Sequence, residues 1–167
     1  RAIDPEVNDF PGVDVPASPT ISRVLVAGVP QIEILDLPLT QGEPAALAYV
    51  ASQASPWPGA MAVWRRSGNT EFMPVDLVSS PATMGHLIDP LPEGPLWRWD
   101  STSNFRVSLG GGSIASIDEN DALSGRNLFA VKKSNGAWEI IIAKNAVLES
   151  AGVWRLSGLL RGLANSE

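Results

Sequence analysis

The sequence predicts a mainly β fold: an antiparallel β-sandwich or barrel-like domain, with little helix and room for two small β units. Three observations predict it. Glycine and proline, 15 and 14 residues, are scattered throughout and leave no window for a long helical pattern. Short apolar runs alternate with turn residues, as strands do. Asn135-Gly136 sits between two runs rich in apolar residues, a strong short-range hairpin signal.

The elements follow in chain order. Residues 1–30 are rich in Pro, Asp and Val (Asp4-Pro5, Phe10-Pro11-Gly12, Val15-Pro16, Ser18-Pro19) and are expected to form an extended linker or edge segment, because proline fixes φ and lacks a donor. Residues 31–167 are expected to form the β-rich domain, with a sub-boundary near 100–104. Gln31–Leu37 alternates and predicts a strand. Residues 45–54 are Ala-rich, and helix and strand both stay open there. Residues 60–65 predict a strand closed by Ser67-Gly68-Asn69, with 72–78 returning as its antiparallel partner. Residues 83–88 predict a weaker strand, and 90–95 a loop with three prolines. Residues 104–109 alternate, with Phe105, Val107 and Leu109 on one face.

The hairpin over 128–143 is the firmest expectation. A type I′ turn at Asn135-Gly136 would pair Lys133 with Trp138, Lys132 with Glu139 and Val131 with Ile140. One face would then carry Phe129, Val131, Trp138, Ile140 and Ile142, and the other the opposed charges of Lys132 and Glu139. Ala130 opposite Ile141 suggests that this second face is partly covered too. A last strand is expected around 153–159.

Composition bounds the function. A hydrophobic fraction of 44% is that of a folded chain. The net charge of -6, with Arg65-Arg66 and Lys132-Lys133 as isolated pairs, argues against a nucleic-acid surface. The absence of cysteine excludes disulfides, thiolate metal sites and a cysteine nucleophile. No apolar run approaches the roughly 20 residues that span a bilayer. The chain opens on Arg1 with no signal-peptide pattern, and is expected to be a piece of a longer polypeptide.

No residue pattern points to catalysis, a cofactor or a metal. His86 is the single histidine; Asp76, Asp89 and Asp100 are available to it, but no serine stands in a nucleophile elbow. Gly110-Gly111-Gly112 lacks the Lys-Ser/Thr of a phosphate loop and reads as a turn or bulge. Asp118-Glu119-Asn120-Asp121 is rich in oxygen ligands but lacks the spacing of a calcium loop, and reads as a solvated turn. Asp89, Glu93 and Asp100 include no pair marked out for glycoside hydrolysis.

Six tryptophans are the surplus. Trp64, Trp138 and Trp154 fall in apolar strands and are expected in the core or at a domain interface. Trp57 lies in a loop between two prolines. Trp97 and Trp99 share parity, which would set two indoles on one side of an extended segment. These three are the candidate contacts for carbohydrate or for a neighbouring chain, since an indole offers a broad apolar face and one donor.

Several blocks, taken in order, carry a resemblance. They are Ser55-Pro56-Trp57-Pro58-Gly59 with the strand Ala60-Met61-Ala62-Val63-Trp64-Arg65; Asp121-Ala122-Leu123-Ser124-Gly125-Arg126-Asn127-Leu128-Phe129-Ala130-Val131; Gly136-Ala137-Trp138-Glu139-Ile140; and Ala146-Val147-Leu148 followed by Trp154-Arg155-Leu156-Ser157-Gly158-Leu159-Leu160-Arg161-Gly162. Across roughly residues 31–167 they resemble the β region of large phage tail-tip proteins, a family that includes the host-specificity protein of alphaproteobacterial gene transfer agents. Two departures stand out. Arg126 replaces the usual Ala, and Leu163-Ala164-Asn165-Ser166 replaces the usual Gln-x-Gly-Thr. The resemblance implies a structural component of a tail tip or baseplate, with a scaffolding or adaptor role in host attachment and DNA delivery. It implies as partners other tail-tip proteins and other domains of the parent chain, and a homotrimer in the particle. The implied location is the tail tip of a virion-like particle assembled in the bacterial cytoplasm. A carbohydrate-binding module contacting host surface polysaccharide is the alternative.

Overall fold

The computed structural model describes residues 26–37, 48–164 and Ser166. The expectations for residues 1–25, and for the start of the Ala-rich stretch at 45–47, lie outside the described residues. The fold is mainly β. A five-stranded antiparallel sheet curls into a half-barrel and is accompanied by two ribbons of two strands each.

The first ribbon pairs β1 (Gln31–Leu35) with β2 (Tyr49–Gln53), so the ambiguous Ala-rich stretch ends as a strand. The second pairs β3 (Met61–Arg65) with β4 (Met73–Val78), as the sequence predicts. The main sheet contains β5 (Gly85–Leu87), β6 (Trp99–Leu109), β7 (Leu128–Lys132), β8 (Trp138–Ser150) and β9 (Val153–Leu163), in the order β5-β6-β9-β8-β7. β6, β8 and β9 run well beyond their expected spans. Each is bulged, and bulges let long strands bend and twist.

Among the described residues one helix interrupts the strands, α1 (Glu119–Leu123). The acidic stretch expected as a solvated turn forms its start. Asp118 is the N-cap, its carboxylate accepting the Asp121 N–H at 2.8 Å. Asn127 then takes a left-handed φ of 52° and donates through Nδ2 to the carbonyls of Ala115 and Ala143, fastening the helix exit to β8.

Two clusters form the core. Phe105, Val107, Ile114, Ile141, Ala143, Leu156 and Leu159 fill the inside of the curl, with Phe129, Val131 and Trp154 packed on them. Ala122, Ile142 and Leu160 form the second, under α1 and against Trp99. Phe105 and Val107 lie inside as their alternation predicts. Burying a large aliphatic or aromatic side chain contributes about 1.5–3 kcal/mol, so these strands dominate the stability of the domain.

The β7–β8 hairpin exists, but its register differs from the expected one. Lys132 pairs with Trp138, Val131 with Glu139 and Phe129 with Ile141. The reason lies in the turn. The Gly136 N–H donates to the Lys133 carbonyl at 3.0 Å, and the Lys133 N–H to the Ala137 carbonyl at 2.8 Å. Gly136 has a φ of 87°, whereas Asn135 is not left-handed. That is a three-residue loop, a turn closed by a left-handed glycine, not the two-residue type I′ turn, which needs positive φ at both positions. Asn135 accepts the Ala137 N–H instead. The shift of one residue puts Glu139 on the face of Phe129, Val131 and Ile141, and moves Ile140 and Ile142 to the other. Lys132 leaves Glu139 for Glu33, at 2.8 Å. Ile140, Ile141, Ile142 and Ala143 are all buried, so both faces of β8 are covered, as the apolar run suggests.

Gly136→Ala should cost about 1–2 kcal/mol, the penalty of a left-handed L-residue. Asn135→Ala should cost less, since only one exposed bond is lost. Urea denaturation of the two variants distinguishes this turn from a type I′ turn, which would penalise both positions.

Candidate interaction surface and the clasp beneath it

The densest polar arrangement is a clasp between β8 and β9. Arg161 donates from Nε to Glu139 Oε1 at 2.6 Å and from Nη2 to Oε2 at 2.8 Å, a bidentate pair. The Glu139 side chain is 1% exposed and that of Arg161 15%. The remaining guanidinium nitrogen, Nη1, donates to the Pro92 carbonyl. Lys133 Nζ stands 3.7 Å from Glu139. A carboxylate this deep needs such partners, because an unpaired buried charge is costly.

The backbone of Arg161 extends the clasp. Its carbonyl accepts the Trp97 N–H at 3.0 Å, beside a bridge between Leu96 and Arg161. Gly162 makes the approach possible. It has a φ of 76°, and a Cβ there would lie 3.2 Å from Leu96 Cβ and 3.3 Å from the Trp97 ring. The proline-rich loop is therefore pinned twice by one residue. At the end of β9, Ser166 replaces the Thr of the resembled segment and keeps its hydroxyl in use. Its Oγ accepts the Ile140 N–H at 2.8 Å and donates to the Leu163 carbonyl at 2.6 Å.

The pinned loop presents Trp97, which is 59% exposed with a φ of 63°. Bulky residues adopt this region at a cost of about 1–2 kcal/mol. The left-handed turn also breaks the alternation that would set Trp97 and Trp99 on one side. Trp99 is half-buried against Ala122, Ile142 and Leu160, with Lys144 Nζ 4.4 Å above its ring. Lys144 in turn pairs with Glu119 at 2.9 Å, and that hydrogen bond holds the Glu119 carboxyl below its usual range. Trp57 is half-buried, its indole N–H enclosed with no acceptor among the described residues.

Trp138 and Trp154 are half-buried. Trp64, expected in the core or at an interface, is 55% exposed on the β3–β4 ribbon. The same ribbon exposes Met73, Val75 and Leu77, and Phe72 at its turn, with Arg66 lying 5.0 Å over the Phe72 ring. Nothing in the strand pattern forecast that exposure, because alternation reports which side chains share a face, not whether that face is covered.

Most of the carboxylates named from the sequence are engaged in hydrogen bonds or ion pairs within the fold. Asp89 accepts from the Arg106 backbone at 3.0 Å and from its guanidinium at 2.8 Å twice, and the Arg106 side-chain bond holds its carboxyl below the usual range. Asp100 caps the bulge of β6, accepting from Thr102 N, Thr102 Oγ1 and Ser103 N. Hydrogen bonds from Ser103 first, then Thr102, hold its carboxyl far below the usual range against the opposing effect of desolvation. Asp121 pairs with Arg126, the departure from the usual Ala, at 2.6 Å. His86 lies on β5 at the edge of the sheet. Among the described residues no group of three or more His, Asp or Glu is placed to hold a metal. No described helix is long and apolar enough to cross a membrane.

These features define a mainly β half-barrel domain that uses Glu139, Arg161, Asp89 and Asp100 in its own architecture and exposes Trp64 and Trp97. The chain belongs to the family described as Rcc01698-like, C-terminal, whose pattern matches residues 82–167, from the approach to β5 to the end of β9. Comparison with curated proteins gives no match.

Two predictions follow from this chemistry. Glu139→Gln or Arg161→Leu alone should cost about 3–5 kcal/mol, whereas a well-packed apolar pair at both positions should recover much of that loss. Thermal or urea denaturation of the singles and the double checks it. The second concerns acid. The folded-state pKa of Asp100 lies below its unfolded value near 3.8, so its contribution is present above that pH and lost as the pH falls toward the folded value. Asp100→Asn should lower stability at neutral pH and flatten its decline below about pH 4, as read from denaturation midpoints across the acid range.

Proposed function

We propose that this chain is a structural component of a phage-like tail tip or baseplate, of the gene transfer agent type, with a scaffolding or adaptor role in host attachment and DNA delivery. The observation that carries the reading is the family membership over residues 82–167, together with the ordered tail-tip blocks of the sequence. The role of those blocks in the fold supports it. Gly136–Ile140 supplies Glu139, and the segment through Gly162 supplies Arg161, so the clasp joins two blocks of the resemblance. In this reading the domain works by holding neighbours rather than by chemistry, and Asp89, Asp100 and Glu139 are architectural groups. Its partners are other tail-tip proteins and domains of its parent chain, in a homotrimer at the end of a tail assembled in the bacterial cytoplasm.

One observation favours a second reading. Trp97 is held outward in a left-handed conformation, and an indole displayed this way suits the face of a sugar ring. The domain would then itself touch host surface polysaccharide through Trp97, while Trp99 packs on the core cluster instead of sharing a platform with it.

Immunogold labelling of purified DNA-containing particles tests the first reading. Label at one end of the tail is expected, and absence of the chain from intact particles overturns it. Binding of the folded domain to capsulated and capsule-free host cells tests the second. Saturable binding lost on Trp97→Ala supports it, and no binding by either protein removes it.

A further inference from the structure

The half-barrel does not close. β5 and β7 are the two ends of the five-stranded sheet, and among the described residues each is paired on one side only. Between them opens a cleft of about 420 Å³, floored by Phe105, Val107 and Leu156 and walled by Leu87, Phe129 and Val131. The β1–β2 ribbon contributes Glu33, Leu35 and Ala51 to its lip.

The pattern of lining residues is informative. Successive strand residues point to opposite faces, so a cleft against one face touches every second residue. This cleft borders all three residues of β5, Gly85–Leu87, and all five of β7, Leu128–Lys132. It therefore runs along the two strand edges. Its occupant meets an apolar floor and, on both sides, the outer edges of β5 and β7, which pair with no other strand among the described residues. A purely apolar ligand would satisfy the floor and leave the edges unmet. An extended peptide satisfies both, with alternate side chains inward and its backbone bonded to the edges.

Charge narrows the occupant further. Lys132 stands on the lip, and its partner Glu33 belongs to the ribbon across the cleft, in a half-exposed pair at 2.8 Å. Such exposed pairs are weak and exchange readily. We propose that the cleft accepts an extended β-strand of another polypeptide, apolar at alternate positions and carrying a carboxylate that replaces Glu33 at Lys132. This strand would complete the half-barrel between β5 and β7. The inference does not depend on the tail-tip reading.

Titration of the isotope-labelled chain with an acetylated Val-Thr-Val-Thr-Val-Glu peptide tests it, read by amide shifts and hydrogen exchange. Saturable binding is expected, with exchange at 85–87 and 128–132 slowed at least about tenfold. A peptide of the same composition with its valines contiguous should bind at least about tenfold more weakly. Leu35→Arg, on the ribbon and outside the main sheet, should also weaken binding while leaving the main-sheet amide spectrum unchanged. Protection confined to the edges of β1–β2 or β3–β4 overturns the proposal, as does equal binding of both peptides. Dodecanoate is the competing probe: if it perturbs Phe129 and Val131 while the peptide protects neither β5 nor β7, the cleft is an apolar-ligand site and the strand proposal fails.

Discussion

A guanidinium and a carboxylate, nearly cut off from water, meet where three parts of the chain converge. Arg161 on β9 binds Glu139 on β8 through two nitrogens and gives the third to the Pro92 carbonyl. Its own carbonyl takes the Trp97 N–H. A proline-rich loop has few donors with which to fasten itself, so its attachment must come from outside. One side chain supplies that attachment, and its position depends on a buried acid on β8, next to the edge strand β7. Remove either charge and the other remains in the interior without a partner. The loop, the end of β9 and the start of β8 would lose their common anchor together.

The sheet around this clasp is bent by design of its irregularities. β6 and β9 slip in register between Asp100 and Asn104, where Asp100 gathers the donors of the extra residues. Opposite lies Gly158, left-handed at φ 64° and tight against Lys144 and Asn145. β8 and β9 slip again between Ile140 and Ile142, beside the clasp, where the Ser166 hydroxyl takes up the Ile140 N–H. Each slip would leave polar backbone groups unpaired, and a nearby side chain meets the need. Bulged strands coil more strongly than regular ones, and three long strands of this kind curl into a half-barrel instead of a flat sheet.

This economy has a consequence for function. Asp89, Asp100, Asp118, Glu119 and Asp121, which the sequence offers as acids or ligands, are engaged in capping or bridging. What remains open is surface: the Trp97 corner, the apolar β3–β4 ribbon and the unclosed mouth of the half-barrel. A two-stranded ribbon with exposed apolar side chains is marginal in water by itself. Surfaces of this kind suit an adaptor, whose work is done by contact area and geometry.

The sequence by itself determined the β class, the β3–β4 pairing, the β7–β8 hairpin and the inward face of Phe105 and Val107. Period-two alternation and turn residues are local, so they can be read without the fold. The register of the hairpin cannot be read in this way. Asn135-Gly136 fits more than one turn, and the choice went to the one that sends Glu139 inward to Arg161, 22 residues away in the chain. Nor could alternation locate the clasp, since a Glu in a strand signals exposure until a distant Arg is known to meet it. The fate of the tryptophans was equally tertiary. Parity places Trp97 and Trp99 together, but the hydrogen bond to Arg161 and the close approach at Gly162 turn Trp97 outward, while a core cluster and Lys144 hold Trp99 in. Local pattern sets what each segment can form. Contacts between distant segments decide which faces are covered, because burial belongs to the assembled chain and not to any stretch of it.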